Sequence, residues 1–203
     1  WVGGVRLQHL AGAGLVASLG IALSLATSRY QMQRLRSFVD PEGDPDGYYQ
    51  VLQSLYGLGS GGFFGVGLGN SMQKEQYLPE PHTDFVFAFV GEEFGLVGTM
   101  VVLALFAAFA FYGLRIGRES GDAHGYLVAT GITAMISIYA LLNIGVATGL
   151  LPTTGLPLPF VSYGGSSLMV NMAGVGILLG VARSASVGSK RSGRNDRMVR
   201  ARR

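Results

Sequence analysis

Cysteine is absent from the 203-residue chain, which excludes disulfides, thiolate-built zinc sites and a cysteine nucleophile. Charge is nearly as scarce: 13% of residues are Asp, Glu, Lys or Arg, where a soluble domain carries about 25%. The scarcity is uneven. Residues 7–28, 94–114 and 123–182 contain none of the four charged types. Apolar, charge-free runs of about 18 residues or more read as membrane-spanning helices, because about 20 residues rising about 1.5 Å each cross the hydrocarbon. The composition therefore predicts an integral membrane protein and not a soluble enzyme.

What is present fits an all-α, polytopic membrane helical bundle with four spans, at about 7–28, 85–112, 126–150 and 162–182. The last two share one charge-free block, which the proline- and glycine-bearing PTTGLPLPFVSYGGSS (152–167) divides into two passes. Glycine is abundant, with 32 residues, and small residues let membrane helices approach closely. The stretch 183–203 holds eight Lys/Arg against one acid, Asp196. Basic residues concentrate on the cytoplasmic side, so this tail is expected in the cytosol, disordered and beside anionic membrane lipid. The N-terminus and the Arg115/Arg118 loop then share that side, and the large loop 29–83 and the loop 152–161 face outward. The net charge of +3 describes that tail, and no nucleic-acid partner is expected. The chain begins at Trp1 and reaches a span almost at once, so 1–182 reads as the C-terminal part of a larger membrane domain.

Three motifs have plain explanations. DPEGDPDG (40–47) resembles the front of a calcium loop, but counting from Glu42 puts Gln53 where the closing glutamate belongs. A solvated turn is the better reading. GLGSGGFFGVGLGN (57–70) meets neither Walker nor dinucleotide spacing, so its glycines are expected to allow tight turns and close backbone approach. YGGSS (163–167) lacks the glycine pattern of a nucleophile elbow, and Ser166 or Ser167 is expected to cap the last span.

The informative stretch is EQYLPEPHTDFVFAFVGEEFG (75–95). Pro79 and Pro81 stop any incoming helix, Thr83 is a candidate N-cap, and Asp84 is expected in the first helical turn. Glu92 and Glu93 follow eight and nine residues later, about 12–14 Å along a helix. Acids at such depth are costly unless they face a wet cavity or a partner. At about 100° per residue, Glu92 lies within reach of the Asp84 face and Glu93 opposite it. Asp84, Glu92 and His82 thus form a candidate polar site, with Glu93 turned into the bundle.

The blocks 59–98 (GSGGFFGVGLGNSMQKEQYLPEPHTDFVFAFVGEEFGLVG) and 143–168 (NIGVATGLLPTTGLPLPFVSYGGSSL), with the preceding loop 36–62, resemble the SEDS proteins. These are the FtsW, RodA and SpoVE proteins of bacterial division, elongation and sporulation, and the loop is more similar to FtsW than to RodA. The resemblance implies a fold of about ten spans, of which this chain matches the C-terminal portion. It implies a peptidoglycan glycosyltransferase that polymerises lipid II, with the Asp of PEPHTDF, here Asp84, as the essential acid. An inverting transfer from a pyrophosphate needs a base and a source of positive charge. Lys74 is the nearest cation in the motif, with Arg29, Arg34 and Arg36 as further candidates, and His82, Thr83 and Glu92 as other substrate contacts. A divalent cation could serve the pyrophosphate too, though no ligand cluster specifies one, and no other cofactor is implied. Many relatives carry Lys in the LPTKG segment where this chain has Thr154, so another cation must act here or the contact is dispensable. The implied partners are lipid II, a class B penicillin-binding protein transpeptidase and other division proteins, at the septum of the inner membrane. The fragment alone is expected to be inactive. A lipid II flippase and a non-catalytic divisome scaffold are the alternatives; both intramembrane acids and broken helices also mark transport paths.

Overall fold

A computed structural model of the chain describes residues 7–40, 45–69 and 84–201. Among these the regular structure is all helical: α1 (Leu7–Thr27), α2 (Arg29–Val39), α3 (Pro45–Ser60), α4 (Val86–Glu119), α5 (Ala123–Ala147) and α6 (Gly165–Ala201). Four helices are long and apolar enough to cross a membrane, namely α1, α4, α5 and the Gly165–Ala185 part of α6. The protein is a multi-pass membrane protein. The loop between the first two spans is not irregular throughout, since α2 and α3 occupy much of it. Ser28 starts α2, accepting a bond from the Gln31 amide at 3.4 Å.

The chain divides into two compact units, residues 1–100 with 142–158, and residues 101–141 with 159–203. In the second, α5 packs on both neighbours through small residues. Gly113 and Gly117 of α4 lie against Thr133 and Thr130, with no room for a Cβ at Gly113, and Gly174 of α6 lies against Ile132. Spacing small residues four apart brings backbones together where apolar side chains gain nothing by leaving lipid. Ala129, Thr133, Ile136 and Ala140 form the buried stripe of α5. Asp122 caps that helix by accepting from the Gly125 amide at 3.0 Å. The last helix starts without a serine cap. Gly164 supplies the first carbonyl to Leu168, and Ser167, inside the helix, accepts from Asn171 at 3.3 Å.

In the first unit, α5 ends in a Schellman motif. Gly149 is left-handed (φ 70°), its amide meets the Val146 carbonyl at 3.0 Å, and the Leu150 amide meets that of Gly145 at 2.8 Å. The α3 helix packs on this terminus, where the buried Ser54 hydroxyl donates to the Ala147 carbonyl at 2.7 Å.

The stretch read from sequence as one helix is broken. Gly95 adopts φ 65° and ψ −158° inside α4. In a continuous helix the Leu96 and Val97 amides would bond the Glu92 and Glu93 carbonyls. Instead they donate to Gly62 and Phe63 at 2.9 and 3.3 Å, and the freed carbonyls accept from Val66 and Gly67 at 2.9 and 3.2 Å. Segment 62–67 is inserted into the helix ladder and pairs with these four groups. Such irregular backbone survives in a membrane only when protein pairs it in this way. The glycines are obligatory here: a Cβ on Gly61 would overlap the Gly91 carbonyl, one on Gly65 the Glu93 carbonyl, and one on Gly95 the Phe63 carbonyl. Within 57–70 the expected close approach is seen at Gly61 and Gly65.

Candidate functional site

Asp84 lies two residues before the first residue of α4, at a bend, and not in the first helical turn. A side chain 59 residues away holds this bend: Asn143 donates its amide to the Asp84 carbonyl at 2.8 Å. The Ala88 and Phe89 amides close on the Phe85 carbonyl at 2.9 and 3.4 Å, so Phe85 takes the capping position. Asn143 also donates to the Leu156 carbonyl at 2.7 Å. Both acceptors are carbonyl oxygens, which fixes the nitrogen end of the amide toward them. Asn143 is 1% exposed. One buried amide thus ties the entry of α4 to the loop after α5.

That loop brings the charged groups together. Gly155 is left-handed (φ 71°), and the place where its Cβ would stand lies 3.5 Å from Asp84 Oδ2 and 3.7 Å from an Arg34 terminal nitrogen. The same guanidinium nitrogen donates to the Thr153 carbonyl at 3.0 Å. Carboxylate and guanidinium therefore flank one bare stretch of backbone, each half-buried, while Gly155 and Thr154 are exposed. A site with an acceptor, a fixed cation and an open face can bind a polar or anionic group and move a proton.

Of the residues singled out from sequence, Asp84 and Arg34 meet here. Arg29 and Arg36 are exposed on α2. Lys74, His82 and Thr83 lie outside the described residues. Glu92 is 3% exposed in α4, and Glu93 accepts from the Gly69 amide at 3.2 Å, so Glu93 joins the inserted loop. Among the described residues no group of three His, Cys, Asp or Glu side chains converges on a metal position, and no step is assigned to a metal. Sequence reasoning undervalued Arg34 and passed over Asn143 as one more polar residue in a span. The signal for Asn143 was an amide in an otherwise apolar run, which in a membrane must find partners.

An all-helical, multi-pass membrane protein with a carboxylate–guanidinium site at the mouth of a broken helix is the class that the fold defines. The cell cycle protein family of FtsW, RodA and SpoVE matches residues 1–187, and the chain belongs to it. Stage V sporulation protein E of Bacillus subtilis (strain 168) is 46% identical over 184 residues, covering 90% of this chain and 50% of that protein. A probable peptidoglycan glycosyltransferase FtsW of Geobacter sp. (strain M18) is 44% identical over 180 residues, covering 88% and 49%. A chain from a solved structure described as "Structural coordination of polymerization and crosslinking by a peptidoglycan synthase complex" is also similar. Its TM-score is 0.65 at 28% identity, covering 90% of this chain and 51% of that one. The chain spans about half the length of the curated relatives it matches.

Proposed function

We propose that the chain is part of a peptidoglycan glycosyltransferase that polymerises lipid II into β-1,4 glycan during division, with Asp84 as general base. The observation that carries this is that the Asp84 carboxylate and the Arg34 guanidinium both flank Gly155. The names of the relatives, probable peptidoglycan glycosyltransferases among them, support the same reading. In this reading the Asp84 carboxylate takes the proton of the acceptor sugar's 4-hydroxyl as its oxygen attacks the donor's anomeric carbon. The bond from that carbon to the pyrophosphate oxygen breaks, the pyrophosphate leaves with both electrons, and the anomeric centre inverts from α to β. Arg34 stabilises the charge that develops on the leaving group.

Arg34 also resolves the departure at Thr154. The segment LPTTG lacks the lysine of many relatives, but a guanidinium from α2 is bonded to that segment's Thr153 carbonyl. The cation is supplied from another element. Lys74, with His82, Thr83 and Glu92, is assigned to the same substrate. The proposal includes a class B penicillin-binding protein as partner, an outward-facing loop 29–83, a cytoplasmic basic tail against lipid, and septal location. It also includes the inactivity of residues 1–203 alone.

The test is polymerisation of labelled lipid II by the purified full-length protein with its transpeptidase, resolving glycan length on a gel. Polymer from wild type and none from a folded Asp84→Asn variant is the expected result. Equal polymer from both removes Asp84 as base. No polymer from either protein returns the flippase and scaffold readings.

A further inference from the structure

We infer that Asn143 is a positioning residue for the reaction, acting through the main chain of Asp84; this rests on the role proposed for that carboxylate. Three observations converge. The side chain is 1% exposed, yet both its hydrogen-bonded contacts are to backbone carbonyls of the two segments that build the site, Asp84 and Leu156, at 2.8 and 2.7 Å. Asp84 carries the carboxylate, and Leu156 follows Gly155, the glycine which that carboxylate and Arg34 flank.

The second observation is what the clasp does to the helix. Asn143 holds the Asp84 carbonyl toward itself, while the Ala88 amide bonds Phe85. Asp84 thereby stays in bent backbone ahead of α4. Were the carbonyl released, the i→i−4 bond to Ala88 would become available, and the helix could extend backward by a residue or two. Each residue added rotates the side chain by about 100° around the axis, which would carry the carboxylate away from Gly155. The direction of Asp84 is therefore set by a donor on a different helix.

The third observation is the unused end of the amide. Asn143 Oδ1 is buried with no hydrogen-bond partner among the described residues. A buried acceptor left unpaired opposes folding. An apolar side chain of the same shape would avoid that penalty, so packing alone does not account for an amide here. The two donors are what the position needs.

The experiment compares Asn143→Asp and Asn143→Ser with wild type and Asp84→Asn in the full-length membrane protein with its transpeptidase. Asn143→Asp keeps the shape but loses the NH2 donors, and Asn143→Ser retains a single donor. The readouts are initial rate of glycan synthesis from labelled lipid II, and the number and affinity of binding sites for the same labelled lipid. The inference predicts that kcat per binding site falls about 100-fold for Asn143→Asp, the loss expected of misplacement by about 1 Å. It predicts a smaller fall for Asn143→Ser, with affinity within about threefold of wild type in both. A merely structural role removes binding sites and rate together and leaves kcat per site unchanged; that result overturns the inference. So does failure of both variants to fold. If Asp84→Asn polymerises normally, the base assignment itself fails and the positioning role falls with it. If Asp84→Asn is inactive while the Asn143 variants keep kcat per site, only the positioning role fails.

Discussion

Asp84 stands just ahead of α4, half-buried, with its carboxylate beside Gly155 and Arg34. Glu92 and Glu93 lie at the break in the same helix, the first almost fully buried and the second bonded to the Gly69 amide. From sequence alone the three acids form one set, because each is a carboxylate placed against an apolar run. The structure separates them by what holds them. Around Asp84 the backbone is held by a distant side-chain amide, and the carboxylate lies beside an open glycine that Arg34 also flanks. Around Glu92 and Glu93 four main-chain bonds lock a glycine-rich segment into the helix. The first arrangement leaves a functional group available, and the second joins two pieces of backbone. Carboxylates at the entry of one helix and at its break thus sit in different surroundings.

The comparison yields graded outcomes. Short of removing the carboxylate, the largest is expected for Asp84→Glu, which keeps the charge and moves it by one methylene. Polymer formation by the full-length protein should fall about 100-fold, since position rather than charge alone is required. Gly95→Ala should come next, acting on folding and not on chemistry. Its left-handed backbone and the Phe63 carbonyl leave no place for a methyl, so a loss of about 1–3 kcal/mol is expected, read as a lower Tm in detergent and a lower yield of folded protein. Arg34→Ala should weaken turnover about tenfold with the fold intact, and Arg34→Lys should recover only part, because a lysine cannot reproduce the guanidinium's fixed fork. Steady-state kinetics on lipid II would show whether kcat or KM carries the loss. The smallest effect is expected for Arg115→Ala. It removes the exposed Arg115–Glu119 pair at 2.7 Å. An exposed pair is screened by solvent, so Tm should scarcely move.

The spans were legible because lipid imposes the simplest sequence rule known, a charge-free run of bilayer length. Asp84 was legible through the resemblance of PEPHTDF, and the need for glycine at 57–70 through its density. The rest depended on tertiary contacts. No local pattern distinguishes Gly95, which breaks α4, from Gly113 in the same helix, which packs on Thr133. Only the inserted segment 62–67 makes the difference. The delayed start of α4 was hidden for the same reason, since Thr83–Asp84 is a good capping sequence and the override comes from Asn143. Helices α2 and α3 were missed because the loop was read by its charges and prolines, while Pro45 begins α3 and does not interrupt it.

The division of labour along α4 is tested most directly by initial rates of lipid II polymerisation for Asp84→Asn and Glu93→Gln, prepared side by side in the full-length protein and matched for folding. Glu93→Gln keeps an acceptor oxygen for Gly69, so it should polymerise within about threefold of wild type, whereas Asp84→Asn should lose about 1000-fold, as removal of a general base does. Comparable losses in both, or activity retained by Asp84→Asn, would contradict the account.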